Sequence, residues 1–183
     1  MKILNQIKFY LQRVYRLSLS GKKQQDVVWK DLIKLHNKAK WKSGVFEKDK
    51  YVETIFTFAS GKYGTFYYMV YEGFFHCKVK ILESYPLDLT TEIFILSTHF
   101  NNLLNEGVVI VNTKNSDVEF YLKKDLLIPL LYSEELYNQL IKHYDISKDI
   151  YAAYQRLIIE QEAPAIIIAD LLREKEERKT GTN

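Results

Sequence analysis

A chain of 183 residues is long enough to bury roughly two-thirds of the surface its unfolded form exposes, and 47% hydrophobic with 27% charged residues excludes a disordered polymer. A net charge of +3 and a pI near 8.7 fall short of the concentrated positive charge of a dedicated nucleic-acid binder. The single cysteine, Cys77, excludes an internal disulfide and a cysteine-based zinc site, and fits a reducing compartment.

Residues 1–20 contain no acid. On a helical wheel Ile3, Leu4, Ile7, Leu11, Val14 and Ser18 gather on one side, with Lys2, Asn5, Gln12, Arg13 and Arg16 opposite, which is the pattern of a basic amphipathic helix. Ser18 to Gln25, with Gly21, Lys22 and Lys23, reads as a short linker. Residues 1–25 are therefore expected to form an N-terminal arm, residues 26–172 a single α+β domain and residues 173–183 a charged tail. Lys2, Lys8, Arg13, Arg16, Lys22 and Lys23 are the arm's candidate contacts to anionic lipid or an acidic partner; the alternative is a terminal helix docked on the domain. Gln6, Lys8, Gln12 and Arg13 interrupt the apolar core that a cleavable signal peptide requires, and no stretch has the length of a membrane span. A soluble, cytoplasmic protein is the expectation.

From Asp26, the spacing of Val28, Leu32, Leu35 and Ala39 predicts a second helix ending before Ser43-Gly44. The period then changes from helical to two. Tyr51–Phe58, Thr65–Tyr71 and Phe74–Leu82 alternate as strands, joined by Ser60-Gly61-Lys62 and by the two-residue turn Glu72-Gly73, in an antiparallel meander. Tyr85-Pro86-Leu87-Asp88 breaks the sheet. Thr90 is then a good N-cap for a helix whose stripe is Ile93, Leu96, Phe100, Leu103 and Leu104, with Gly107 as its left-handed stop. Val108–Val111 and Val118–Lys123 form a hairpin around the polar turn 112–117. Ser133 with Glu134 and Glu135 starts a helix carrying Leu136, Leu140, Ile141 and Tyr144; Ser147 with Asp149 starts another carrying Ile150, Tyr154, Leu157 and Ile158. Pro164 fits the first turn of a last helix through Leu172. The expected fold class is α+β, with a five-stranded, mostly antiparallel sheet covered by helices.

That order of elements, with Asn101-Asn102, Gly107-Val108-Val109, Val118-Glu119-Phe120, and Asp149-Ile150-Tyr151 to Pro164-Ala165, resembles the YbjN-like family of bacterial sensory transduction regulators, over about Asp26 to Ile168. The resemblance implies a fold like that of class I type III secretion chaperones. It implies a small adaptor or chaperone-like binding protein, often self-associating, and supplies no catalytic residues.

Motifs that carry chemistry are sparse. His36, His76, His99 and His143 lack the spacing that sets two ligands on one helix or strand face, and read as ordinary surface or half-buried residues. Cys77, between Phe75 and Val79 on the apolar side of its strand, reads as a buried inert thiol. There is no glycine-rich phosphate loop or serine elbow, and the adjacent acids Glu134-Glu135 and Glu176-Glu177 point in different directions on a helix. No enzyme, cofactor or metal site is expected.

The excess lies in Tyr63–Tyr71, which is aromatic on both alternating faces. Phe66, Tyr68 and Val70 serve a core; Tyr67, Met69 and Tyr71 must be covered by a helix or meet a partner. Aromatic residues and Met suit contact surfaces, and Lys78 and Lys80 fall on one side of the next strand. Three readings follow. The first is a non-enzymatic protein-binding adaptor, a homodimer or a receiver of a protein segment, with Tyr67, Met69, Tyr71, Lys78 and Lys80 as contacts. The second is a peripheral membrane or regulatory protein acting through the basic arm. In the third, the rings stack single-stranded nucleic acid while Lys78, Lys80 and Lys123 meet phosphate.

Overall fold

The computed structural model describes residues 2–180, with the side chains of residues 6–174, 176 and 177. The elements in chain order are α1 (Lys2–Ser18), α2 (Gly21–Ala39), β1 (Ser43–Phe46), β2 (Tyr51–Ala59), β3 (Lys62–Tyr71), β4 (Phe74–Leu82), α3 (Thr90–Leu103), β5 (Val108–Asn112), β6 (Asp117–Asp125), α4 (Leu127–Leu131), α5 (Glu134–Ile158) and α6 (Pro164–Thr180). The fold is α+β. The sheet is antiparallel and six-stranded, in the order β1-β2-β3-β4-β6-β5, so β6 lies inside and β5 forms an edge.

The expected meander is present as β2, β3 and β4, but the sheet has one strand more than the five expected. The addition is β1, four residues paired to β2 with Val45 opposite Val52 and Phe46 opposite Tyr51. A four-residue strand containing a glycine shows almost no period of its own; it is held by its neighbour.

Packing divides the chain into two compact units, Met1–Lys78 with Leu122–Tyr144 and Val79–Tyr121 with Asp145–Asn183. In the first, the core face of the sheet carries Val52, Thr54, Phe58, Phe66, Tyr68, Val70, Phe75 and Cys77. Against it α2 packs Val28, Leu32 and His36, and the first half of α5 packs His143, whose ring meets those of Phe66 and Tyr68 at 5.5 and 5.8 Å. Each large apolar side chain buried in this way contributes about 1.5–3 kcal/mol. Gly64, paired with Phe56, leaves room for the Phe58 ring, which any Cβ at that position would strike.

Three features of the helices in this unit differ from expectation. The linker is only Leu19-Ser20, because α2 already begins at Gly21 and Gly21–Gln25 are helical. The buried stripe of α2 is Val28, Trp29, Leu32 and His36, turned toward Trp29 by its indole N–H, which donates to Glu47 at 2.8 Å. The short helix α4 follows β6 directly, its entry held by the Leu126 N–H donating to the Gly73 carbonyl.

In the second unit α3 buries Ile93, Leu96, Ser97 and Phe100, as its spacing predicts. Thr90 does not cap it. A 3₁₀ turn at Leu87–Leu89 leads into the helix, so Thr90 is already helical and its hydroxyl donates back to the Leu87 carbonyl at 2.6 Å. Nor does Gly107 end it. The helix stops at Leu103, with the Leu104 N–H donating to the Phe100 carbonyl. Gly107 still needs its positive φ of 84° in the loop to β5, where a Cβ would lie 2.6 Å from the Phe120 ring.

The two helices expected at 133–144 and 147–158 are one, α5. Its buried positions Leu136, Leu140, His143, Ser147, Ile150, Tyr154 and Leu157 alternate steps of four and three without a break, and Ser147, read as a start signal, lies fully buried within that stripe. Pro164 opens α6 as expected. That helix runs on through Arg173, where the tail was expected, to Thr180; residues 181–183 of that tail lie outside the described residues.

Candidate functional site

Strand alternation sends one set of side chains away from the helices. In the first unit this open face comprises Phe46 on β1, Tyr51, Glu53, Ile55 and Thr57 on β2, Tyr63 to Tyr71 at every second residue on β3, and Phe74, His76 and Lys78 on β4. Register places Phe46 opposite Tyr51, Tyr51 opposite Met69 and Glu53 opposite Tyr67. The result is a row of rings: Phe46 stacks on Tyr51 with centroids 4.3 Å apart, and Tyr51 meets Tyr67 at 6.4 Å.

The structure brings Tyr67, Met69 and Tyr71 together on this face. Tyr71 is 58% exposed, while Tyr67 and Met69 are half-buried. Tyr63, Ile55 and Phe46 are exposed around them. Phe46 and Tyr51 were not among the expected contacts. Tyr51 follows the period of its strand; Phe46 lies on β1, whose four residues show almost no period of their own.

Beside the rings lies a polar corner. Lys123 sits over the Phe74 ring with its ammonium 3.7 Å from the centroid, and Phe74 meets His76 edge-on at 6.2 Å. Desolvation, with Lys123 nearby, lowers the His76 pKa, opposed by its hydrogen bond to the Tyr71 carbonyl. The Glu72 carboxylate beside the Tyr71 hydroxyl pushes that phenol up.

The two lysines expected to act with the rings differ. Lys78 is half-buried on β4 in the first unit. Lys80 belongs to the second unit and is engaged there, with Asp117 at 3.2 Å and Glu83 at 3.5 Å; the Asp117 carboxylate raises its pKa.

The basic arm is an ordered helix that docks through its arginines. Arg13 donates to the Leu131 carbonyl at 3.2 Å and lies over the Tyr132 ring. Arg16 donates to the Leu130 carbonyl at 3.1 Å and pairs with Asp31 at 2.8 Å. These carbonyls end α4, where cations are favoured. Lys8, Lys22 and Lys23 are exposed, the last two in the first turn of α2; the Lys2 side chain lies outside the described residues.

Two histidines read as surface or half-buried are core residues. His36 is 2% exposed and His143 fully buried, each with its ring within 6 Å of that of Tyr68, because the faces of α2 and α5 that carry them turn onto β3. Cys77 is fully buried, and burial pushes its thiol well above the ordinary range. Among the described residues no group of three or more His, Cys, Asp or Glu side chains is arranged to hold a metal ion, and no helix is long and apolar enough to cross a membrane. No protein-family model matches the chain, and no curated protein matches it.

Proposed function

We propose that the chain is a non-enzymatic protein-binding adaptor or chaperone-like module, as its YbjN-like order of elements implies, with the open sheet face around Tyr67, Met69 and Tyr71 receiving an extended segment of a partner protein. One observation carries the reading. The rings of Phe46, Tyr51 and Tyr67 form a continuous row across three strands, while α2 and the first half of α5 occupy the other face. Rings on a rigid sheet remove much area from water at little entropic cost, and tyrosine keeps a hydroxyl for the partner's backbone. The lone, buried thiol fits a reducing, cytoplasmic setting.

The test is Tyr67→Ser combined with Met69→Ser, in a chain carrying a photoreactive residue at Tyr63. Crosslinking to a discrete partner, lost in the double variant while circular dichroism is unchanged, is the expected result. A mass doubling in light scattering that the double variant abolishes would make the partner a second copy. The reading fails if the folded double variant keeps both the crosslink and the solution mass. It fails equally if the same face retains single-stranded nucleic acid with an affinity that falls steeply with salt.

A further inference from the structure

An amphipathic helix on a globular domain ordinarily turns its apolar stripe inward. α1 does the reverse. Among its described side chains only Arg13 and Arg16 are half-buried, and they dock it. Ile7, Phe9, Tyr10, Leu11, Val14, Tyr15 and Leu17 are between 44% and 67% exposed. At ~100° per residue, Ile7, Leu11 and Val14 fall within ~60° of one another with Tyr10 and Tyr15 on their flanks, and Arg13 and Arg16 fall on the opposite side. The fastening therefore holds the apolar stripe outward, away from the unit that carries it.

Charge decides between the occupants this stripe could have. Residues 1–25 contain Lys2, Lys8, Arg13, Arg16, Lys22 and Lys23 and no acid at all. With Arg13 and Arg16 docked inward, a second copy laid along this exposed side would set Lys8, Lys22 and Lys23 against the same lysines, with no carboxylate among residues 1–25 of either copy to compensate. An anionic lipid surface matches both halves of the pattern. It takes apolar side chains to the depth of the upper acyl chains, tyrosine rings at the headgroup level and lysines among the phosphates.

We propose that α1 is a pre-docked peripheral anchor that binds anionic lipid bilayers. Ile7, Leu11 and Val14 enter the acyl boundary, Tyr10 and Tyr15 lie at headgroup depth, and the exposed Lys8, Lys22 and Lys23 supply the attraction. It is fixed to the protein by Arg13 and Arg16 and so presents its face without a disorder-to-order step. This surface is distinct from the open sheet face, and either assignment stands without the other.

The experiment is flotation of the full chain with vesicles of phosphatidylcholine alone and of phosphatidylcholine mixed with phosphatidylglycerol. The expected result is partition at least about tenfold stronger on the anionic vesicles, falling as salt rises. Leu11→Glu with Val14→Glu abolishes it without changing thermal unfolding, while Tyr63→Glu, which adds an acid on the open sheet face and leaves α1 and its docking contacts intact, retains it. Equal flotation of wild type and the Leu11→Glu, Val14→Glu variant overturns the proposal, as does no flotation on anionic vesicles at low salt. A solution mass that halves in that variant, with no flotation of the wild type, assigns the stripe to a second copy instead.

Discussion

His36 shows what burial does to a single titratable side chain. Its Nδ1 lies 2.9 Å from the Leu32 carbonyl, an acceptor, so Nδ1 carries the proton and Nε2 is the bare nitrogen. Nε2 is buried without a hydrogen-bond partner among the described residues, between the rings of Trp41 and Tyr68. Protonation would put a charged N–H where nothing accepts it, and desolvation accordingly lowers the pKa. The sign follows. Below about pH 6.5 the unfolded chain binds a proton that the folded chain refuses, so folding stability is complete above that pH and falls as pH drops below it. The slope from one such proton is at most about 1.4 kcal/mol per pH unit. Urea midpoints between pH 8 and pH 5 are expected to fall in the wild type and to fall less in His36→Phe, with the desolvated His76 contributing part of what remains. A profile identical in the two proteins would refute the assignment. The burial of this histidine was not legible in sequence, because the helix period alone leaves α2 free to turn by one residue; the indole bond from Trp29 to Glu47 selects the rotation.

At the scale of elements, the clearest device is the one that closes the β5 edge. Val109 lies opposite Phe120, and its backbone groups that point away from β6 meet the side-chain amide of Asn101: the Val109 N–H donates to Oδ1 at 2.7 Å and Nδ2 donates to the Val109 carbonyl at 3.0 Å. One residue of α3 thus imitates a seventh strand at a point where Val108 and Ile110 are exposed and would otherwise invite pairing with another chain. Asn101→Leu is expected to lower stability by about 1–3 kcal/mol, the cost of leaving part-buried backbone groups unpaired, and to produce concentration-dependent association. Unchanged urea unfolding together with an unchanged solution mass would show that the amide does neither. Asn101 was visible in sequence only as part of a family-like pattern, since a side chain bonding a strand eight residues on leaves no period. By contrast β2, β3 and β4 were legible in their alternation, although β3 begins at Lys62, three residues before the expected Thr65. The continuity of α5 was hidden, because its four-and-three spacing passes through the polar His143 and Ser147. Local capping chemistry pointed the other way, and tertiary burial of that serine overrode it.

The candidate surfaces of the whole molecule were legible as composition and not as exposure. The aromatic excess of β3 and the acid-free N-terminus were plain in sequence, yet which side of each faces water depends on where the helices settle. The same settling gives the two compact units different responses to acid. The first holds His36, along with the Asp26–Lys50 pair, whose carboxylate pKa is lowered chiefly by its lysine hydrogen bond. The second is tied by Arg156, which joins Glu162 and Asp170 between the end of α5 and α6; the arginine hydrogen bonds lower both carboxylates. Lowered carboxylate pKa values stabilise above the unfolded range near 4 and are lost as pH falls below it, whereas the loss from His36 begins near 6.5. Between about pH 4.5 and 6 the first unit is therefore weakened while the ties of the second persist. Both tryptophans, Trp29 and Trp41, lie in the first unit, Trp41 with its ring 5.2 Å from His36. Indole fluorescence reports that unit and far-UV dichroism reports the helices of both. At pH 7.5 the urea transitions seen by the two probes are expected to lie close together. At pH 5 the fluorescence transition should move ahead of the dichroism transition, and His36→Phe should narrow the gap, leaving the share of His76 in the same unit. Transitions that coincide at both pH values in the wild type would mean that the two units unfold as one cooperative structure and share the cost of protonating His36.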